Sequence, residues 1–320
     1  MAAVISDLSR KGLLRRLGGD GIVLDTGAVA TRIFSKVPEV ADAILDHYGH
    51  YPLMEDDYVA DYRLSLDRPG GIRLFYKRQV IGNVGVPAPF TPFPVDIAPM
   101  MLEMTMNWCV ATRSNRYLIF HSAVLEKDGR AVILPGDSGQ GKSTLCAALA
   151  TSGWRLFSDE FGLFDLRTGM MMPNVRPVSL KNRSIDIMEA RLGEGVLTRR
   201  LHDTPKGTVA YLPAPADAVA RRAEQAPPGA VIFPFYHPEI EGAVRAYPKA
   251  RGLISLCGGA ANYEMLGEQA FRAMADFVDR HPIARIAYKS LDNAVAMVER
   301  IVTQGLTDEE AHSAQRELAG

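Results

Sequence analysis

The pattern of apolar and polar positions predicts alternating strands and helices along the chain. Near the N-terminus it predicts a strand at Ala28–Phe34 and a helix at Val37–Tyr48, followed by a β-pair. The two strands of that pair are Tyr62–Leu66 and Ile72–Tyr76, separated by a Pro-Gly-Gly turn at 67–71. We therefore expect residues 1–85 to form a small α+β unit.

A proline-rich stretch at 86–96 follows, with four prolines between Val86 and Pro94. Proline supplies no backbone N–H and fixes φ, so this stretch predicts a linker. Beyond it, a methionine-rich helix is expected at Ile97–Thr112, then a β-pair, Tyr117–Leu125 and Ala131–Leu134, turned at 127–129. The remaining pattern predicts a larger domain over 97–306 and a polar tail at 307–320 that frays.

Within the larger domain, short apolar runs predict further strands and amphipathic runs predict further helices. The strands are expected at Arg155–Phe157, Gly162–Asp165, Gly207–Leu212, Ala230–Pro234 and Ala284–Tyr288, and the helices at Asp217–Glu224, Leu266–Asp279 and Asn293–Val302.

Composition excludes some classes of protein. The 320 residues carry a formal net charge of −1, without the surplus of Lys and Arg that a dedicated nucleic-acid binder needs. Three cysteines, Cys109, Cys146 and Cys257, have no paired metal spacing and suggest no disulfide framework. No apolar run is as long as a membrane span, and the N-terminus lacks the apolar core of a signal peptide. We expect a cytoplasmic protein that binds neither nucleic acid nor membrane.

One short glycine-rich motif carries the strongest chemical signal. It fits G-x-x-x-x-G-K-[ST] and stands between a predicted strand, Ala131–Pro135, and a helix-prone run, Thr144–Thr151. The backbone N–H groups of such a loop, together with the helix dipole, bind phosphate. The sequence therefore predicts a nucleoside triphosphate site formed by Gly136, Asp137, Ser138, Gly139, Gln140, Gly141, Lys142, Ser143 and Thr144.

A pair of acids follows the loop closely. Asp159 and Glu160 end the predicted strand Arg155–Phe157, which is the first strand expected after Ser143. A nucleotide site needs such acids to hold the metal or to accept a proton. The short distance along the chain predicts a compact loop-helix-strand unit.

The sequence here resembles the HPr kinase/phosphorylase superfamily, which shares its nucleotide-binding core with phosphoenolpyruvate carboxykinases. The resemblance runs from Phe120-His-Ser-Ala-Val through the glycine-rich loop to Gly153-Trp-Arg-Leu-Phe-Ser-Asp-Glu160. It implies an α/β fold with an HPr kinase-like P-loop core and a mixed sheet, beside the smaller N-terminal unit. It also implies a homo-oligomer, a hexamer in true HPr kinases.

The resemblance implies a role for each matching residue. Lys142 would contact the phosphates, and Ser143 with Asp159 would hold Mg²⁺. Glu160 would accept the proton of the substrate hydroxyl, and His121 stands where the family has its active-site histidine.

The chain also departs from the family. Its second acid is Glu160 rather than aspartate, and it has no E-[IV]-R-G segment, where the family has a second metal carboxylate. With these departures the chain resembles a divergent HPr kinase-related branch, and this resemblance argues against HPr as the substrate and against the phosphorylase reaction. Instead of the E-[IV]-R-G segment, the chain has Arg176-Pro-Val-Ser-Leu-Lys181-Asn-Arg183, which we expect to be a loop. Lys181 there could stabilise the transferring phosphoryl group, or be a solvated surface lysine.

The sequence thus predicts an ATP- and Mg²⁺-dependent serine kinase whose acceptor is a peptide or protein. Three alternatives stay open: a kinase of free serine or another hydroxyl metabolite, a nucleotide sensor without catalysis, and an enzyme that uses a phosphate donor other than ATP. An intact acid pair favours catalysis over sensing, because a sensor has little use for a proton acceptor beside the γ-phosphate.

Overall fold

The computed structural model describes residues 3–70, 78–87, 89–136 and 139–311. Its helices are α1 Arg10–Gly18, α2 Pro38–Tyr48, α3 Ala98–Arg113, α4 Lys142–Ala150, α5 Arg183–Leu192, α6 Ala216–Ala220, α7 Lys249–Gly258, α8 Tyr263–Leu266, α9 Glu268–Arg280 and α10 Leu291–Gln304. Short 3₁₀ turns lie at Ile5–Asp7 and Val95–Ile97. Across these residues, no helix has the length and apolar character needed to span a bilayer.

The N-terminal residues form a five-stranded sheet. Its strands, in spatial order, are β1 Ile22–Asp25, β2 Ala30–Ser35, β3 Tyr62–Asp67, β4 Gln79–Asn83 and β5 Phe93–Pro94. The pair β2–β3 is parallel and the other pairs are antiparallel. The predicted strand Ala28–Phe34 corresponds to β2, and the helix α2 and the strand at 62–66 were also predicted correctly, whereas β1 was not predicted. The predicted strand Ile72–Tyr76 lies outside the described residues.

A mixed eight-stranded sheet forms the centre of the molecule. Its strands are β6 Tyr117–Lys127, β7 Arg130–Pro135, β8 Arg155–Ser158, β9 Phe161–Asp165, β10 Met171–Met172, β14 Pro228–Tyr236, β15 Gly242–Ala246 and β16 Ile283–Tyr288. The main order is β10-β9-β6-β7-β14-β16-β15, and β8 also pairs with β6. The strands β7, β14 and β16 are parallel neighbours, whereas β6 and β15 run antiparallel to theirs. The chain is therefore an α/β protein with mixed sheets.

The predicted hairpin β6–β7 has a clear local cause. Lys127 pairs with Arg130, and the two residues between them, Asp128 and Gly129, have φ values of 52° and 78°. Positive φ at both central positions is the two-residue turn whose twist matches that of paired strands. This turn directs β7 through the sheet toward the glycine-rich loop.

A third, three-stranded sheet contains the segment predicted as a loop. Its order is β11 Val178–Lys181, β13 Gly207–Leu212 and β12 Leu201–Thr204, all antiparallel. Lys181 ends β11, and Arg183 begins α5, so the prediction of a loop at 176–183 was wrong. The cause is tertiary, because β11 gains its hydrogen bonds from β13, which follows only after α5 and β12 in the chain.

The helix predicted at Asp217–Glu224 is shorter than expected, ending at Ala220. Beyond its end, the buried guanidinium of Arg155 donates to the carbonyl oxygens of Arg221 and Glu224, at 3.0 and 2.9 Å, so a distant side chain holds this segment. In the tail, residues 308–311 are helical, and 312–320 lie outside the described residues.

The N-terminal sheet and the central sheet share one hydrophobic core. Helix α3 packs on α2, β3 and β4, and its buried residues join the same cluster as those of α4, β6 and β7. Backbone hydrogen bonds also connect the two parts: Ala28 donates to Pro173 at 2.7 Å, and Val175 donates to Thr26 at 2.8 Å. The N-terminal residues therefore support the segment at 173–176 that enters β11.

Candidate active site

A cleft of about 760 Å³ opens at the carboxyl ends of the parallel strands β7, β14 and β16. Ligands of α/β sheets bind at this edge, because the loops that leave the strands converge there. The volume lies within the range of small-molecule sites. The cleft is lined by residues of the glycine-rich loop and α4, by residues around β11 and α5, and by the ends of β14 and β16.

The glycine-rich loop turns from β7 into α4 through left-handed glycines. Gly139 and Gly141 have φ values of 95° and 91°, a region that only glycine enters without strain. Helix α4 then begins at Lys142, so its first N–H groups face the cleft. Of the predicted phosphate-binding residues, Gly136 follows β7, while Asp137 and Ser138 lie outside the described residues.

The other loop residues are placed around the cleft. Gly139, Gly141, Lys142, Ser143 and Thr144 all line it. The carbonyl of Gln140 accepts a hydrogen bond from the backbone N–H of Tyr236 at 3.4 Å, which ties the loop to the end of β14. A helix N-terminus with left-handed glycines before it provides the geometry and partial charge that bind an anion.

Lys142 and His121 are direct neighbours in the cleft. The Nζ atom of Lys142 lies 3.1 Å from Nε2 of His121, which projects from β6. Burial lowers the pKa of Lys142, with its acidic neighbours Asp159 and Glu160 opposing the shift. Burial, aided by the Lys142 charge, also lowers the pKa of His121. The imidazole is therefore neutral at pH 7 and accepts a hydrogen bond from the ammonium group at Nε2.

Asp159 lies behind Ser143, as a shared metal site requires. Its Oδ2 atom is 3.4 Å from the Ser143 Oγ and accepts the backbone N–H of Ser179 at 3.0 Å. Its Oδ1 atom is buried without a hydrogen-bond partner among the described residues. Burial raises the pKa of Asp159, and the charge of Glu160 adds to the shift. A buried carboxylate oxygen without a partner is a site where a cation would be favourable.

These oxygens fit Mg²⁺. Magnesium in phosphate-transfer sites takes one or two protein oxygens, and water and substrate phosphate oxygens complete its shell. Ser143 and Asp159 supply two such oxygens beside the glycine-rich loop. In the described part of the chain, no three His, Cys, Asp or Glu residues form a self-sufficient metal cluster. The residues present therefore fit a metal that is held together with a nucleotide.

Glu160 completes the acid pair. One of its oxygens is 3.8 Å from Nδ1 of His121. Burial alone would raise the pKa of Glu160, but positive charges around it outweigh burial and leave the pKa lowered. The protonated form of His121 contributes most to the lowering of this pKa, followed by the charges of Lys142, Lys206 and Lys181. Glu160 is thus a carboxylate at neutral pH.

Lys181 faces the same cleft from the third sheet. It is the last residue of β11, held by a backbone hydrogen bond from its N–H to the Ser184 hydroxyl at 2.7 Å. The next residue, Asn182, has a φ of 50° and turns the chain sharply into α5. None of the described residues forms an ion pair with Lys181. The strand end therefore presents a cation to the cleft.

Sequence reasoning missed several residues of the cleft. Tyr236 ends β14, Tyr288 ends β16, and Lys289 follows it. The Tyr288 hydroxyl is buried, and a Cβ atom added to Gly141 would lie 2.6 Å from it. The strands themselves were predicted, but their parallel order beside β7 was not. That order would have marked both tyrosines, since only parallel neighbours end at the same edge.

No protein-family model matches this chain. No curated protein matches it either. The chemistry that the cleft could support must therefore be inferred from the positions of its own residues.

That geometry combines four features that a phosphoryl-transfer site would need. The loop and Lys142 form an anion site, Ser143 and Asp159 offer metal ligands, Glu160 is an ionised carboxylate, and Lys181 provides a further cation. Preorganised charges of this kind stabilise the negative charge of a transferring phosphoryl group. All five residues that the sequence predicted as catalytic line this cleft or lie beside it.

Proposed function

We propose that this chain is an ATP- and Mg²⁺-dependent kinase that transfers the γ-phosphate to a hydroxyl acceptor, a serine of a peptide or protein. The observation that carries the proposal is the position of the acid pair opposite the loop. Ser143 approaches Asp159 to 3.4 Å, and His121 lies between Lys142 at 3.1 Å and Glu160 at 3.8 Å. These residues come from three successive segments of the chain and are the ones a transfer reaction would need.

The nucleotide would bind with its phosphates at the N-terminus of α4. The backbone N–H groups of the loop and the Lys142 ammonium would hold the β- and γ-phosphates. Ser143 and Asp159 would hold Mg²⁺, which when bound neutralises charge on the phosphate oxygens. The lowered pKa of Lys142 would rise again on binding, because phosphate charge favours its protonated form.

The transfer would proceed in line. A bond forms between the acceptor oxygen and the γ-phosphorus, and the bond from that phosphorus to the bridging oxygen of ADP breaks. The acceptor proton passes to the carboxylate of Glu160. His121 would position both Lys142 and Glu160 by hydrogen bonding, and Lys181 would stabilise the charge on the equatorial oxygens.

A proton acceptor beside the loop favours a kinase over a nucleotide sensor. The serine of a peptide or protein follows from the family resemblance. A small hydroxy acid such as free serine is the second candidate acceptor. It is favoured by a small pocket behind Glu160 that is lined by polar side chains and by no residue of the glycine-rich loop.

The test measures acceptor-dependent ADP formation, with mass spectrometry of the product, using serine peptides and free serine. We expect Lys142→Met and Glu160→Gln each to lower the transfer rate about a hundredfold or more. Glu160→Gln should still bind ADP, because its carboxylate contacts the acceptor and not the loop. Lys36→Met, at an exposed lysine directly after β2, is the matched control and should keep full activity.

Slow ATP hydrolysis without an acceptor does not distinguish a kinase from a sensor. Phosphorylated product at the wild-type rate from both the Lys142 and the Glu160 variants would refute the proposal. ATP binding with no product from any acceptor would favour the sensor.

A further inference from the structure

A second, smaller pocket lies behind the acid pair, on the side away from the glycine-rich loop. It holds about 40 Å³, Glu160 and Ser179 line both this pocket and the cleft, and Asp159 lines the pocket. Helix α3 forms one of its walls, through Glu103 and Asn107. A space of this size accommodates about three water molecules or one group such as a carboxylate.

The pocket contains a buried arginine with an unused donor. The Arg176 side chain is only 9% exposed. Its Nη2 atom donates to Oδ1 of Asn107 at 2.6 Å and lies 3.3 Å from a carboxylate oxygen of Glu103. Its Nη1 atom is buried and has no hydrogen-bond partner among the described residues. A buried guanidinium N–H without an acceptor is costly, so an acceptor supplied by a ligand would be favourable.

The acid already beside Arg176 does not fill this role. Glu103 accepts from Tyr48 at 2.6 Å and contacts Nδ1 of His47 at 3.0 Å. Burial opposes ionisation of Glu103, but Arg176 and its two other partners outweigh burial and lower its pKa. The charge of Glu103 is thus shared among three partners, all of them buried, and it does not reach Nη1.

A second cation lines the same pocket. Lys206, in the turn between β12 and β13, is exposed, and no described residue forms an ion pair with it. Arg176 from inside and Lys206 from the rim therefore favour a negative charge between them. The carboxylates of Glu103, Asp159 and Glu160 also line the pocket and would repel an anion. Arg176 already offsets the charge of Glu103, and Lys142 with a bound Mg²⁺ would reduce the repulsion by Asp159 and Glu160.

We propose that this pocket binds a carboxylate of the acceptor, held by Arg176 and Lys206, while the acceptor hydroxyl faces Glu160. The inference rests on the proposed kinase function and specifies its substrate class, a hydroxyl acceptor with an acidic group close to the hydroxyl. Guanidinium binds carboxylate through directed, charge-assisted hydrogen bonds, which neutral groups cannot match. Glu160 lines both spaces, so an acceptor with its carboxylate in the pocket would have its hydroxyl beside the carboxylate that also lines the cleft.

Two sources could supply the carboxylate, and the experiment separates them. The first pair of acceptors is L-serine and the neutral L-serinamide. The second is a short peptide with glutamate after its serine and the same peptide with glutamine there. With the full chain and Mg²⁺–ATP, we expect the charged member of at least one pair to have a kcat/KM about tenfold higher or more.

Two substitutions test whether the pocket causes this preference for the charged acceptor. Arg176→Met should abolish it by lowering kcat/KM for the charged acceptor alone. Because that change leaves buried Glu103 with fewer partners and could unfold the chain, Lys206→Met provides a second test at an exposed site. It should reduce the preference about two- to threefold, as expected for one solvent-exposed charge. Lys36→Met, an exposed lysine remote from the pocket, should not change it.

Equilibrium binding keeps the proposal testable without transfer. L-serine, L-serinamide and the two peptides are titrated calorimetrically into the chain with Mg²⁺–ADP. If nothing is phosphorylated but a charged probe binds and loses affinity in Lys206→Met, the pocket stands and the kinase proposal falls. If transfer occurs equally to charged and neutral acceptors, the kinase stands and the pocket proposal falls. If no transfer occurs and the charged and neutral probes bind equally well, or none of them binds, the pocket proposal is also overturned.

Discussion

The close approach of the Tyr288 hydroxyl to Gly141 gives a quantitative test of how the glycine-rich loop packs against the end of β16. Gly141 has a φ of 91°, and a Cβ atom placed on it would lie 2.6 Å from the Tyr288 hydroxyl and 3.7 Å from Cζ of that ring. Gly141→Ala therefore introduces two separate costs. One is backbone strain, which depends on φ alone, and the other is a clash, which depends on a single oxygen atom.

The two costs have different expected sizes. A side chain in the left-handed region costs about 1–2 kcal/mol. Overpacking of a buried contact costs about 1–3 kcal/mol. Gly141→Ala should therefore lower the free energy of unfolding by about 2–5 kcal/mol. In a Tyr288→Phe background the oxygen is gone, so the same change should cost only the strain, about 1–2 kcal/mol.

Urea denaturation of the four proteins in this double-mutant cycle measures the coupling between the two sites. Tyr288→Phe alone should cost little, because its hydroxyl is buried without a described partner. Gly153→Ala is the matched control, with a φ of 87° and no atom within 4 Å of its added Cβ. Equal losses for Gly141→Ala in both backgrounds would refute the close approach of Tyr288 to the loop.

Two further predictions concern buried charges. Arg155→Met should cost about 3–5 kcal/mol of stability, because Arg155 contacts Glu126 at 2.6 Å with both side chains buried. Arg280→Met, at an exposed pair, should cost under about 1 kcal/mol; urea denaturation compares the two, and equal losses would contradict the prediction. Asp159→Asn should stabilise the nucleotide-free chain at pH 7 in EDTA. Because the folded-state pKa of Asp159 is raised, the wild type gains stability as pH falls through it, so the difference should narrow toward pH 4. A difference that grows on acidification would contradict the raised pKa.

Local signals made much of the fold predictable. The turn at Asp128–Gly129 fixes the hairpin β6–β7, and the glycines at 139 and 141 mark the bend into α4. In both places a backbone conformation depends on residue types within a few positions. The same holds for α2, whose apolar face repeats at helical spacing and is buried.

The elements that sequence reasoning missed depend on distant partners. The strand β11 is short and follows Pro177, and its pairing with β13 decides its conformation. The edge strand β15 has a mostly exposed or half-buried pattern and pairs only with β16. Neither pairing can be read from a short window, because the partner strand is remote in sequence.

The residues of the candidate site also fall into a group that was predictable from the local sequence and a group that was not. His121, Lys142, Ser143 and the acid pair lie within the single continuous run that the family resemblance covers, so they were predicted together. In the pocket behind Glu160, Arg176 donates a hydrogen bond of 2.6 Å to Asn107, which lies 69 positions earlier in the chain. Nothing in the local sequence of α3 indicates that contact, because Asn107 there has the pattern of an ordinary helical residue.

The hydrogen bonds between the N-terminal residues and the segment at 173–176 bear on how the protein can be divided. Tyr51 donates to the carbonyl of Val175 at 2.9 Å, Val175 donates to Thr26, and Ala28 donates to Pro173. A chain trimmed at the proline-rich stretch would lose these partners together with the α2 side of the core. A boundary in sequence and independence in folding are different properties here. We therefore expect the part of the chain that contains the glycine-rich loop to fold only together with its N-terminal support.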